Sequence, residues 1–309
     1  MTQFHGSNKR RAFFEGWYLK HDNGSHTLAL IPAMHVDAQG RRSASLQVIT
    51  DKGSDYKIFP IQQFSADRAR FAVRLADNLF CEEGIRLNLH TNRFHITGAL
   101  RYFPFTPPPV DMMGPFRFVP GLQCSHGVLS LSHRLEGKIS VNGYPFDFHG
   151  GTGYLEKDWG RAFPSSYLWT QCGWKDAGDC CVMLCLADIP LLHTRFTGCL
   201  CQILHRGRQY RLATYHGVRI LEYTPRTVIL VQGRYRLEVR LLKENGHSLL
   251  APNAGSMSRT IRESAVCTVR YRFFEKDEIL FDHTDIRASF EYAAPDNQIR
   301  PTTDACPSR

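Results

Sequence analysis

Two carboxylates, three indoles and one guanidinium are packed between the glycines of the stretch Gly153–Trp174. An ordinary solvent-facing strand has no reason to carry that density of acid and aromatic groups. If Tyr154–Asp158 is extended, Tyr154, Glu156 and Asp158 line one face, because side chains alternate with period two. Two like charges on one face repel and push one carboxyl towards its neutral form, and burial adds to the push. A carboxyl kept protonated near neutral pH is a general acid. Trp159, Trp169 and Trp174 lie nearby in the sequence, and ring faces of this kind stabilise a growing positive charge by ~1–2 kcal/mol each where water is excluded. With Trp17 they are all the tryptophans of the chain.

A second acid sits in Phe13-Phe14-Glu15-Gly16-Trp17-Tyr18-Leu19. On a strand, Phe13, Glu15, Trp17 and Leu19 share a face, which sets a carboxylate among large apolar groups. Facing inward, Glu15 needs a partner, such as Lys20 or a distant arginine, or a raised pKa. His126 and His133 stand alone, without metal-ligand partners at set spacing, so each reads as a hydrogen-bonded structural histidine.

The elements that must position these groups are short strands. Apolar runs recur at Thr27–Ile31, Ser43–Thr50, Lys57–Ile61, Arg70–Leu75, Ile85–Leu89 and Phe94–Leu100, with turn residues at Asp51-Lys52-Gly53-Ser54 and Asp77-Asn78. That rhythm predicts antiparallel strands in a sandwich or barrel. The stretch Arg101–Gly121 departs from it, mixing Pro104, Pro107-Pro108-Pro109, Pro115 and Pro120 with phenylalanines and Met112-Met113. A proline-rich stretch that apolar is expected as an irregular loop laid over a hydrophobic opening. Strands resume at Cys124–His133 and Gly137–Val141, and Asn142-Gly143 predicts a type I′ hairpin to Tyr144–His149. Further strands are expected at Cys180–Ala187, Arg195–His205, Gln209–Tyr215, Val218–Tyr223, Arg226–Gln232, Tyr235–Lys243, Ser264–Phe274 and Arg287–Tyr292, with a second Asn-Gly turn at Asn245-Gly246. No amphipathic helix is evident, so the fold class is all-β with little helix. The polar, proline-bearing end 293–309 reads as a disordered tail.

Composition bounds the rest. The chain has 309 residues, 43% hydrophobic and 22% charged, a globular balance with room for one large unit or two ordinary ones. No apolar run reaches the length of a membrane-spanning helix and no signal peptide is evident, so a cytoplasmic protein is expected. The ten cysteines are then mostly reduced thiols, and those from Cys172 to Cys201 lack the paired spacing of a zinc ribbon, leaving a redox or metal role in reserve. A net charge of +9 gives a basic surface, with weak attraction to an anionic membrane as a second reading. The glycine cluster Gly150-Gly151-Thr152-Gly153 lacks a nucleotide-binding fingerprint, and no motif for nucleic acid accompanies the arginines.

Three segments, in order, resemble the tocopherol cyclase family: Phe14-Glu15-Gly16-Trp17-Tyr18-x-Lys20; Met113-Gly114-Pro115-Phe116 through Val119-Pro120 to Cys124-x-His126-Gly127-Val128; and Gly153–Gln171. The resemblance implies two packed lipocalin-like antiparallel β-barrels or half-barrels, divided here as 1–150 and 151–292. It also implies an apolar pocket for a prenylated aromatic or isoprenoid ligand, and a cyclisation that uses neither metal nor redox cofactor. Closing a phenol onto an alkene needs a proton on one alkene carbon, and the alkene is a weak base, so the acid must be a neutral carboxyl kept protonated by desolvation. Asp158 or Glu156 is the expected donor and Glu15 a third candidate. Trp17, Tyr18, Tyr154, Trp159, Trp169, Gln171 and His126 are the expected ligand contacts; Gln171 serves equally well for satisfying the backbone at a barrel end. The competing structural reading makes Glu156, Lys157, Asp158 and Arg161 a salt-bridged corner joining the two barrels, with the tryptophans as core. Rival functions are a non-catalytic carrier of an apolar ligand, an isoprenoid hydratase using the same acid, and a nucleic-acid-binding module, the last without motif support.

Overall fold

The computed structural model describes residues 4–119, 122–191, 194–244 and 247–294. They form two large antiparallel sheets, one of twelve strands and one of ten, with helix confined among the described residues to short 3₁₀ turns. Both sheets follow from the alternation of apolar residues along the strands.

The first sheet starts at the edge strand Gly53–Pro60 and passes through Arg42–Thr50 and Thr27–Val36 to Phe13–Asp22. Next comes Thr152–Gly160, then the long strand Cys124–Val141 and the meander from His95–Tyr102 back to Phe64–Ala66. Thr152–Gly160 thus joins the first strand of the chain to the later half of the sheet. This sheet runs ten residues past the expected division at 150, because the motif strand pairs with Phe13–Asp22 and Cys124–Val141 instead of opening the second sheet. The second sheet is centred on Tyr167–Lys175, with Asp179–Leu191 on one side and Glu278–Ala293 on the other.

Both sheets curl. Leu46, Val48 and Phe59 from one end of the first sheet share a single apolar cluster with Val73, Leu75 and Phe80 from the other, and across it the rings of Trp17 and Phe71 meet at 6.3 Å, as a curled sheet requires. In the second sheet, Ile203 and Leu212 join Val228 and Leu230 in the same way. Each sheet is therefore a half-barrel with its own core, and each fully buried Leu or Val in those cores contributes about 2 kcal/mol. A third cluster, with Tyr18, Met113, Val128, Tyr154, Trp169, Met183 and Leu200, fills the space between the two.

Asn142 and Gly143 both have positive φ, +53° and +85°, as a type I′ turn requires. The proline-rich segment leaves the first sheet and lies against the second, where Arg211 donates to the carbonyls of Val110 and Asp111 and the Tyr215 hydroxyl donates to that of Met112. Some boundaries move. Cys124–Val141 is one bulged strand where two were expected, and Asn78–Cys81 is a strand although Asp77-Asn78 reads as a turn. Ala293 ends the last strand instead of starting a tail; 295–309 and the Asn245-Gly246 turn lie outside the described residues.

Candidate active site

Alternation sorts the motif residues into two compartments. On Phe13–Asp22 the even positions Phe14, Gly16 and Tyr18 face the space between the sheets, and on Thr152–Gly160 the same holds for Tyr154, Glu156 and Asp158. The register sets Tyr18 opposite Glu156 and Gly16 opposite Asp158. On its other side the motif strand sets His126 opposite Asp158 and Val128 opposite Glu156. Cross-strand neighbours on one face have Cβ atoms about 5 Å apart, close enough for an imidazole to reach both carboxylates.

It does. His126 Nδ1 lies 2.9 Å from Asp158 Oδ1 and its Nε2 lies 3.6 Å from Glu156 Oε2. Glu156 Oε2 also accepts from the Tyr154 hydroxyl at 2.5 Å and from the Trp169 indole N–H at 3.2 Å. With Oε2 taken by two donors, a proton on this carboxyl belongs on Oε1. Burial raises the Glu156 pKa to about 7; the charge on His126 pulls it down and that on Asp158 pushes it up. For His126 burial opposes protonation, but Asp158 and Glu156 outweigh it and raise its pKa to about 9. At neutral pH the trio of His126, Asp158 and Glu156 therefore holds an imidazolium next to a Glu156 poised between its two forms.

These groups line a cavity of about 160 Å³ between the half-barrels. That is close to the ~150 Å³ that accommodates a benzene ring. Its walls are mainly apolar: Phe14, Ile31, Met113, Phe116 and Leu122 from the first sheet and the proline-rich loop, with Tyr167, Trp169, Ala187 and Leu200 from the second. Trp169 meets Tyr18 edge-on at 5.1 Å, and Phe163 meets both Phe14 and Tyr167 in the same manner. The Asp158 side chain is 23% exposed against 5% for Glu156, so solvent enters at the Asp158 end. The apolar pocket thus lies between the two half-barrels, whose interiors are filled by their own cores.

Several expected site residues lie elsewhere. Glu15, Trp17 and Trp159 occupy odd positions and face the core of the first sheet. There Glu15 is paired with Lys157 at 2.8 Å, and His5 contributes its backbone N–H at 2.8 Å and its ring at 3.2 Å. The Lys157 ammonium sits over the rings of Trp159 and Trp17, at 4.8 and 5.7 Å. Trp17 and Trp159 are thus not cavity walls, and among the described residues Glu15 pairs with neither Lys20 nor an arginine. Nor do Glu156, Lys157, Asp158 and Arg161 form one salt-bridged corner: Lys157 points away from the two acids and Arg161 is exposed. Gln171 lies in a separate small recess with Lys20 and Arg287, and its amide donates to Cys181 Sγ at 3.7 Å.

Glu291 and His35 line the cavity and were not singled out in the sequence. The Tyr167 hydroxyl donates to Glu291 Oε1. The available signal was an isolated acid in the apolar run Phe290-Glu291-Tyr292. Among the described residues, His126, Glu156 and Asp158 form the one group of metal-type donors, with ligand atoms within 4.8 Å of one another. Holding a cation there would displace the hydrogen bonds that Asp158 and Glu156 already accept. The described cysteines are free thiols, and burial pushes those of Cys124 and Cys185, both on the cavity wall, well up.

The family model described as Tocopherol cyclase-like matches residues 115–292. No curated protein sequence matches the chain. Among solved structures, kievitone hydratase from Nectria haematococca is similar at 13% identity and TM-score 0.56, covering 95% of this chain and 94% of that one. CghA bound to Sch210972 gives 10% identity and TM-score 0.59, covering 92% and 89%. A Nitrosomonas europaea protein described as AttH gives 14% identity and TM-score 0.54, covering 91% and 92%. At these identities the likeness is one of fold.

Proposed function

Since the chain belongs to the tocopherol cyclase-like family, we propose that it is a lyase- or isomerase-type enzyme that adds an O–H group across the alkene of a prenylated aromatic or isoprenoid ligand. The observation that carries this reading is a buried carboxyl at an apolar cavity wall, its Oε2 held by Tyr154 and Trp169, with an imidazole 3.6 Å away.

Glu156 gives its Oε1 proton to the less substituted alkene carbon, and positive charge develops on the tertiary carbon. Proton transfer leaves the trio one charge more negative than before, which favours the cation across a cavity of low dielectric. His126, kept charged by Asp158, stabilises the carboxylate left behind. The rings of Tyr18, Trp169, Phe14 and Phe163 surround the cation and shield it from water. A phenol oxygen then bonds to the tertiary carbon and releases its proton to Glu156, which restores the acid and consumes no co-reactant.

Capture by water in place of the phenol would make the chain a hydratase, the activity for which kievitone hydratase is named. Product mass separates the two, since cyclisation leaves it unchanged and hydration adds one water. The test is incubation with a prenylated hydroquinone, in parallel with the Glu156→Gln variant. Turnover by the parent chain and not by the variant supports the proposal. Tight binding without turnover in either would make the chain a carrier.

A further inference from the structure

The cavity has a second polar end. His35 is 4% exposed and lines the cavity, and its ring Nε2 and Ser45 Oγ share a hydrogen bond of 2.8 Å. Its Nδ1 is buried and has no hydrogen-bond partner. A buried polar atom left without a partner calls for an occupant that supplies one. Gln47, 3% exposed, lines the same wall.

Register places this end relative to the acid. Asp158 pairs with Gly16 and Gly16 with Ala33, and His35 is the next residue on that face of its strand. With strands about 4.8 Å apart and a rise of about 3.3 Å per residue, the Cα atoms of Asp158 and His35 are roughly 12 Å apart. Between them the floor is low at Gly16 and Ala33, and Phe14, paired with His35, rises beside it as a wall against which a flat ring can lie. Burial lowers the His35 pKa to about 4, so the ring is uncharged at neutral pH and suits a neutral partner better than a carboxylate.

We propose that His35, with Ser45 behind it and Gln47 beside it, forms an uncharged polar subsite that binds a hydroxyl or carbonyl oxygen of the ligand. The ligand is then elongated, with an oxygen at the end remote from the group that meets Glu156. This extends the reading of Glu156 as the acid, but it is tested by binding alone.

The probes are a prenylhydroquinone and the ortho-prenylphenol that lacks its remote hydroxyl, titrated by tryptophan fluorescence or calorimetry into the parent chain and into Glu156→Gln. The expected result is a preference of about tenfold for the hydroquinone in both proteins, the size of one hydrogen bond. His35→Leu should abolish the preference and leave the phenol affinity unchanged, and Ser45→Ala should weaken it. In the unmodified chain, the His35 Nδ1 resonance in a histidine-labelled NMR sample should shift with the hydroquinone and not with the phenol. Equal affinities for the two probes, or a preference that survives His35→Leu, would overturn the subsite. Absence of turnover would bear only on the role of Glu156.

Discussion

Glu156 and Lys157 are adjacent in the chain and point into different compartments: the carboxyl to the cavity between the sheets, the ammonium to Glu15 Oε1, 2.8 Å away in the core of the first sheet. One extended strand thus carries an acid on one face and a buried ion pair on the other, and substitution separates the two.

Glu156→Gln should retain the fold and lose activity by about 100-fold or more, the scale of a lost general acid. Lys157→Met should do the opposite. It takes the ammonium away from the buried Glu15 carboxyl, leaving only the His5 contacts, and should lower stability by about 3–5 kcal/mol in urea unfolding. Equal loss of stability in both variants would contradict the division into two faces.

The rate should depend on pH through the protonated form of Glu156, whose pKa is about 7. Turnover at limiting substrate is expected to be level on the acid side and to fall about tenfold per pH unit above that value. Tyr154→Phe removes a hydrogen bond that favours the ionised carboxyl, so the pKa should rise and the alkaline limb should move to higher pH. A limb that stays in place would remove Tyr154 from any role in tuning the acid.

Stability should pass through a maximum near neutrality. Burial lowers His21 and His35 to about 4 and His133 to about 3. Unfolded, these rings take up protons at about 6.5, so between pH 4 and 6.5 the unfolded chain binds more protons and stability rises with pH. Glu156, raised from 4.5 to about 7, works against that rise, one acid against three histidines. His126, with its pKa at about 9, contributes stability that is complete below about 6.5 and lost as pH rises through 9. Thermal melts across this range should show the maximum, and Asp158→Asn should flatten the alkaline decline.

In deuterated solvent, one deuterium should appear on the carbon next to the new C–O bond, because the proton added to the alkene comes from an acid that exchanges with water. Mass spectrometry and NMR of the product would locate it. A product with no carbon-bound deuterium would mean that the alkene is not protonated by an exchangeable group.

What the sequence could and could not disclose follows from strand geometry. Period two groups Tyr154, Glu156 and Asp158 without any coordinates. It equally groups Lys157 with Trp159, and Glu15 with Trp17, so these two indoles had to leave the acid's face; closeness in sequence obscures this. His126 could not be joined to Asp158 from the sequence, since the link depends on the register between strands some thirty residues apart. Glu291 and His35 reach the cavity from strands near opposite ends of the chain, and only the packing of one sheet on the other brings them together. The placement of the cavity between half-barrels is a property of two curled sheets meeting, which no local pattern encodes.

That placement divides the labour of each strand. One set of alternate residues anchors a half-barrel to itself, and the other shapes the hollow like one half of a two-piece mould. Side chains that define the hollow can therefore be exchanged for others of different size or polarity while the anchoring set is left untouched. A change of substrate needs no redesign of the scaffold.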